Sequence, residues 1–141
     1  MDSTVFKTVI SGTLVFVIGQ ITQNFLLKPI QDHKKVIGKI DNKLKFYANI
    51  LTNFGFNNKT IVEITDMMRA LSCDFESSYK QIPFRSFLSR LGVVADEKSA
   101  SKVASKLIYL SNAGGRKDER IDKCNDAIEK VREILKIKSL D

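Results

Sequence analysis

An uncharged stretch of 20 residues near the N-terminus constrains this chain most. It lies between Lys7 and Lys28 and reads TVISGTLVFVIGQITQNFLL. At 1.5 Å per residue, a helix of this length reaches about 30 Å, the thickness of the hydrocarbon core of a bilayer. We therefore predict one transmembrane helix within residues 1–28. A buried core helix and a cleaved signal peptide are the alternatives, although no small-x-small cleavage site follows the stretch.

The lysines on the two sides of this stretch predict its orientation. Only Lys7 precedes it, whereas six lysines follow within twenty residues: Lys28, Lys34, Lys35, Lys39, Lys43 and Lys45. Loops rich in Lys and Arg stay on the cytoplasmic side of a membrane. We expect the N-terminus to lie outside and the C-terminal part to lie in the cytoplasm, where Cys73 and Cys124 are reduced thiols.

One face of the predicted span is small and polar. It carries Thr8, Ser11, Gly12, Gly19, Thr22 and Gln23. Lipid gives helices no hydrophobic reason to associate, so close packing at small residues and hydrogen bonds between helices carry association. We expect Gly12, Gly19 and Gln23 to contact another copy of the chain. The alternative is that the amides near Gln23 are hydrated at the cytoplasmic interface.

Beyond Pro29, apolar side chains recur every 3.5 residues through four heptads, which is typical of a coiled-coil or bundle seam. The spacing predicts an oligomerising stalk helix over residues 29–55, with a seam formed by Ile30, Ile37, Ile40, Leu44, Tyr47 and Leu51. The alternative is a single amphipathic helix packed on its own domain, because Val36 and Phe46 widen the stripe. If the same heptad frame is extended towards the N-terminus, Gly12 and Gly19 fall at seam positions, so the span and the stalk would present one continuous face. Pro29 can shift this alignment.

Residues 56–141 are expected to form a small cytosolic helical domain. Four segments have apolar residues at helical spacing: Ile64 to Phe75, Phe84 to Leu91, Val103 to Ile108 and Ile121 to Leu135. Asp96 precedes the third segment and is a good N-cap. No segment alternates at period two, so the predicted fold class is all-α, with one transmembrane helix, a stalk and this domain.

Several short motifs resemble those of uncharacterised single-span bacterial membrane proteins. They are Lys28-Pro29-Ile30-Gln31, Ile37-Gly38, Phe46-Tyr47-Ala48-Asn49, Ile82-Pro83-Phe84, Ser89-Arg90-Leu91-Gly92 and Leu107-Ile108-Tyr109-Leu110-Ser111-Asn112. The resemblance implies a protein of the bacterial inner membrane with this topology, and it implies no catalytic residues. The architecture is also similar to that of the small membrane effectors of bacterial antiphage defence, some of which respond to a cyclic oligonucleotide.

The sequence contains no catalytic, cofactor-binding or metal-binding motif, so we predict that the chain is not an enzyme and has no cofactor. Its excess of 23 Lys and Arg over 16 Asp and Glu is clustered. The first cluster is the group of lysines that begins at Lys28, and the predicted orientation of the span explains it. The second cluster consists of Arg85, Arg90, Lys98, Lys102 and Lys106. Guanidinium and ammonium groups are the hydrogen-bond donors that phosphate requires, so these five residues predict an anion-binding site. The alternative is a basic surface near an anionic membrane.

Two functional hypotheses follow. In the first, an oligomeric membrane effector binds a nucleotide-like anion, such as a cyclic nucleotide, through its basic domain and perturbs the bilayer. In the second, the chain is a passive membrane tether or scaffold for a cytosolic protein. Sequence-specific DNA is not an expected partner, because no helix-turn-helix pattern or aromatic stacking motif is present.

Overall fold

The computed structural model describes residues 3–52, 58–113 and 121–137, and every regular element in these ranges is a helix. The elements are α1 (Ser3–Thr22), a π-helical turn (Gln23–Leu27), α2 (Lys28–Thr52), α3 (Asn58–Lys80), α4 (Arg85–Arg90), α5 (Glu97–Ala113) and α6 (Ile121–Ile134). The predicted all-α fold is confirmed for these residues. The predicted boundary between residues 55 and 56 and the side chain of Leu51 lie outside the described part of the chain.

Helix α1 is apolar and unpacked. Among the described residues 3–22 none is buried, and side chains such as Phe6, Phe16 and Ile18 expose more than half of their surface. The hydroxyls of Thr8, Thr13 and Thr22 each donate a 2.9 Å hydrogen bond to the carbonyl four residues earlier. The helix is long and apolar enough to cross a membrane, and these hydroxyls do not require water.

Pro29 does not interrupt the helix, and a π-helical turn precedes it. Proline has no N–H, and its ring crowds the carbonyl four residues earlier. The wider turn, in which the Lys28 N–H donates to the Gln23 carbonyl, accommodates that crowding. A π turn also holds an additional residue, so the helix faces on its two sides are rotated relative to each other. The predicted phase agreement between Gly12, Gly19 and the seam of α2 is therefore not kept.

Helix α2 is part of the helical domain and does not stand apart as a stalk. Ile40 and Leu44 are completely buried and Ile30 is 9% exposed, while Ile37 and Tyr47 pack partly against the same core. An amphipathic helix has buried its apolar stripe on its own domain, which is the alternative that the sequence left open. The prediction that Ile30, Ile40 and Leu44 form a seam between copies is corrected, because this chain already covers them.

Helices α2, α3, α5 and α6 form an antiparallel four-helix bundle. His33 near the start of α2 contacts Ser78 near the end of α3, and Ser72 of α3 donates a 3.0 Å hydrogen bond to the Ala104 carbonyl of α5. Lys106 in turn lies 3.6 Å from Asp126 of α6. The core includes Ile40, Leu44, Ile64, Met68, Leu71, Phe75, Val103, Leu107, Leu110, Ala127 and Val131.

One end of the bundle adjoins α1. A cavity of about 430 Å³ there is lined by His33 and Ile37 of α2, by residues 92–96 and by Ile134 and neighbours at the end of α6. The start of α2, the end of α3, the connection over residues 81–96 that contains α4, and the end of α6 therefore meet. We call this region the α1 end of the bundle.

Candidate functional site

Two of the five residues predicted to bind an anion share a cleft at the α1 end. Arg85 and Arg90 line a cavity of about 220 Å³ together with the hydroxyl residues Tyr79, Ser86 and Ser89. Guanidinium and hydroxyl groups are the donors that a phosphate requires. We call this place the arginine cleft, and its chemistry suits a single phosphate group.

Acidic side chains lie beside these cations. Glu97 also lines the arginine cleft, and Glu97 and Arg85 continue into a neighbouring cavity of about 450 Å³. In that cavity Glu76 lies 3.5 Å from Lys80. A carboxylate beside each cation weakens the attraction for a free anion, so the arginine cleft is less basic than its two arginines alone would make it.

Tyr79 positions Arg85 in the cleft. The Arg85 guanidinium carbon lies 5.5 Å from the centre of the Tyr79 ring, within the range of a cation–π contact. The Tyr79 hydroxyl donates a 3.0 Å hydrogen bond to the Ala95 carbonyl. Burial raises the pKa of Tyr79, which outweighs the lowering by Arg85. The phenol therefore stays protonated and holds the end of the 81–96 connection against α3.

The three lysines of the predicted anion site lie elsewhere. Lys98 and Lys102 are exposed on the outer side of α5, and Lys106 pairs with Asp126, which also binds Lys130 at 2.9 Å. These bonds to Lys130 and Lys106 lower the pKa of the Asp126 carboxyl. Residues four apart drift about 40° around a helix per step, so this row turns towards α6 and away from Arg85. The structure does not gather the five residues into one site.

His33 is a packed core residue. It is 2% exposed, its Nδ1 lies 2.9 Å from Ser78 Oγ, and its ring is 5.0 Å from Phe75 and 5.6 Å from Tyr79. Burial lowers the pKa of His33 to about 4. A histidine can serve as a pH switch or as a structural residue, and an imidazole that is neutral near pH 7 in these surroundings has a structural role.

Sequence reasoning missed an exposed apolar surface at the α1 end. The helical spacing from Phe84 to Leu91 predicts that Phe84, Phe87, Leu88 and Leu91 share one apolar face, but only Leu88 is buried. For Phe84 and Leu91 the reason is that α4 covers only residues 85–90. Phe84 precedes it in a left-handed conformation and Leu91 caps it, so helical spacing does not apply across the whole segment.

In the described ranges, no group of three or more His, Cys, Asp or Glu residues could hold a metal ion. Cys73 is exposed and Cys124 is buried. Comparisons with protein families, with curated proteins and with solved structures find no match for this chain. The resemblance to single-span bacterial membrane proteins stays a prediction, and function is argued from the residues themselves.

Proposed function

We propose that this chain is a non-enzymatic, self-associating single-span protein of the bacterial inner membrane. Its N-terminus lies outside, and its basic helical domain lies in the cytoplasm and responds to a phosphate-bearing signal such as a cyclic nucleotide. The observation that carries the proposal is the continuous helix that leads from the apolar, unpacked α1 into the buried core of the bundle as α2.

The surface of α1 supports insertion into a bilayer. Ten large apolar side chains of α1 are exposed, from Val5 to Ile21. Each such side chain left in water costs about 1.5–3 kcal/mol relative to burial. A bilayer covers this surface, and the lysine excess that begins at Lys28 supports a cytoplasmic bundle.

The connection between α1 and the bundle favours an effector over a passive tether. Because α2 carries buried core residues such as Ile40 and Leu44, it moves with the bundle. Because its backbone continues into α1, a change in bundle packing is transmitted to the span as a movement of one helix. A tether requires only a flexible linker, so this rigid connection has no use in that hypothesis.

Two glycines support self-association through the span. A Cβ added to Gly12 or Gly19 would meet nothing within 4 Å in this chain. Glycine inside a helix costs about 1 kcal/mol relative to alanine, and the packing of a single copy does not account for that cost at either position. The close approach of a second helix does account for it, and the exposed amide of Gln23 lies near Gly19 to hydrogen-bond across such a contact.

The signal is proposed from the arginine cleft and from the architecture. Arg85 and Arg90 suit a phosphate, and a short span followed by a basic cytosolic domain is similar to the plan of antiphage membrane effectors. We therefore propose a cyclic oligonucleotide as the signal class and antiviral defence as the setting.

The proposal is tested with the full chain in anionic vesicles that hold a self-quenched dye. Dye release is followed while a panel of linear and cyclic nucleotides is added. We expect one nucleotide to cause release, Arg85→Ala to abolish the response, and Gly19→Leu to abolish release without abolishing nucleotide binding. Thr13→Leu is the matched control in the span, because residue 13 lies about 100° around the helix from Gly12.

If the chain is inserted and no nucleotide changes dye release, the effector hypothesis fails. The tether hypothesis then gains support, and a stable protein partner recovered with the full chain would establish it.

A further inference from the structure

The exposed apolar residues on the 81–96 connection form a surface that the bundle does not use. Phe84 is 77% exposed, Phe87 62% and Leu91 60%, whereas the intervening Leu88 is 7% exposed and faces the core. Three large exposed apolar side chains therefore lie within eight consecutive positions, unlike the single exposed apolar residues of an ordinary surface. We call Phe84, Phe87 and Leu91 the α4 patch.

The backbone at Phe84, which belongs to the α4 patch, has an energetically unfavourable conformation. Phe84 has φ 52° and ψ 35°, a left-handed conformation that costs a non-glycine residue about 1–2 kcal/mol. Its carbonyl accepts hydrogen bonds from the Phe87 and Leu88 N–H groups, both at 3.0 Å, and so begins α4. The fold therefore keeps an aromatic ring in solvent at a strained position, which is common where a surface has a binding role.

The geometry of the bundle places the α4 patch near the end of the span. His33 is five residues beyond Lys28, or about 8 Å along α2, and it contacts Ser78 of α3. From Ser78, α3 runs back towards α1, and Ile82 lies about 6 Å further in that direction. Ile82 is therefore about level with the first turn of α2, and α4 follows directly. The headgroup layer on each side of the hydrocarbon is about 5–8 Å thick, so α4 lies at its depth.

The charges around the patch are those of a surface that meets anionic lipid. Arg85 and Arg90 flank the exposed rings, and Lys28 and Lys34 lie at the same end of the bundle. Cations beside an apolar face are typical of helices that lie in the membrane interface, since each well-placed Lys or Arg contributes about 1 kcal/mol on an anionic surface. Exposed apolar residues further from the span, such as Phe46 and Val62, stand apart from this group.

We propose that the α4 patch docks the bundle onto the cytoplasmic leaflet of the membrane that α1 spans. Phe84, Phe87 and Leu91 enter the interface, and Arg85 and Arg90 contact lipid phosphates. The proposal rests on the proposed function in one respect, which is the insertion of α1.

The test uses tryptophan fluorescence, because the chain contains no tryptophan and each variant then reports from one place. Three variants of the full chain are placed in anionic vesicles: Phe87→Trp in the patch, Phe46→Trp as an equally exposed site about 27 Å beyond Lys28 along α2, and Phe16→Trp in α1. Lipids with a quencher close to the headgroup and lipids with a quencher deep in the acyl chain are compared. The same measurement in vesicles without anionic lipid shows how much of the membrane binding depends on electrostatic attraction.

We expect the shallow quencher to quench Phe87→Trp and shift its emission to the blue, the deep quencher to quench Phe16→Trp, and neither to affect Phe46→Trp. Quenching at residue 87 should fall without anionic lipid and in an added Arg90→Ala variant. If Phe16→Trp is quenched while Phe87→Trp behaves like Phe46→Trp, membrane docking is overturned and the patch is a surface for a protein. If Phe16→Trp is not quenched either, the insertion of α1 fails and the proposed function falls with it.

Discussion

Helices α1 and α2 are consecutive parts of one helix and have opposite surroundings. In α1 no described residue is buried, and threonine hydroxyls bond to carbonyls of their own helix. In α2 an apolar stripe is sealed by α3 and α6, and even the imidazole of His33 is enclosed. The comparison teaches that helix formation here does not decide the environment. Composition does, because α1 has no charged residue from Thr8 onwards and carries ten large exposed apolar side chains, whereas α2 has an apolar stripe on one side and charged residues on the other.

The largest effect that we expect from the different surroundings of α1 and α2 is on stability, when one leucine in each helix is replaced by alanine. Leu44→Ala removes a fully buried side chain from the bundle core and should lower its free energy of unfolding by about 2–5 kcal/mol. Leu14→Ala removes a side chain that is 56% exposed on α1 and should leave the bundle unchanged within about 0.5 kcal/mol. Hydrogen exchange of α3 and α5 amides in lipid nanodiscs measures both. Equal losses would show that α1 is packed into the bundle.

A second effect concerns pH. The pKa of His33 is about 4 in the fold and near 6.5 in the unfolded chain, so unfolding takes up a proton between these values. The contribution of His33 is constant above pH 6.5, and stability falls as the pH drops towards 4. We expect a loss of about 2 kcal/mol between pH 7 and pH 5.

His33→Gln is the control for that effect, since glutamine has no titrating group. Its free energy of unfolding should change less between pH 7 and pH 5 than that of the unmodified chain, whatever its value at pH 7. Parallel pH profiles for the two chains would contradict the burial of a neutral imidazole between Ser78, Phe75 and Tyr79.

The smallest effect concerns two hydroxyls that both donate to carbonyls. Ser72 Oγ is buried and bonds across helices to Ala104, so Ser72→Ala should cost about 1 kcal/mol of bundle stability. Thr13 Oγ bonds within α1 to Val9, so Thr13→Val should not change bundle stability. Thermal unfolding of the bundle in nanodiscs compares them. If Thr13→Val lowered the stability of the bundle more than Ser72→Ala, α1 would unfold together with the bundle, contrary to this account.

Much of this fold was predictable because its signals are local. The apolar spacing of α3, α5 and α6 identified residues such as Phe75, Leu107 and Val131 that the structure buries. Asp96 caps α5 as expected, accepting a hydrogen bond from the Ser99 N–H at 3.2 Å. The hydrogen bond from the Ser99 side chain and this one from its N–H lower the pKa of the Asp96 carboxyl. Periodicity and capping depend on a few neighbouring residues, so they can be read without the tertiary structure.

The remainder depended on contacts between distant residues. The heptad of α2 suits a partner helix, but spacing does not say whether that partner belongs to another copy or to the same chain. The five basic residues share a region of sequence, and only the packing of α5 shows that Lys98, Lys102 and Lys106 turn away from Arg85. The α4 patch was hidden because α4 covers only residues 85–90, so that the left-handed Phe84 lies before the helix and Leu91 after it.

The most direct test of the central claim is thiol labelling at two positions of the same long helix. Phe16→Cys and Phe46→Cys are introduced separately into a Cys73→Ser chain, in which the remaining Cys124 is buried. Both positions are well exposed in the fold, at 65% and 72%, so only a bilayer distinguishes them. In inverted inner-membrane vesicles, a membrane-impermeant reagent should label residue 46 at once and residue 16 only after detergent is added. Equal labelling of both residues in intact vesicles would contradict the account.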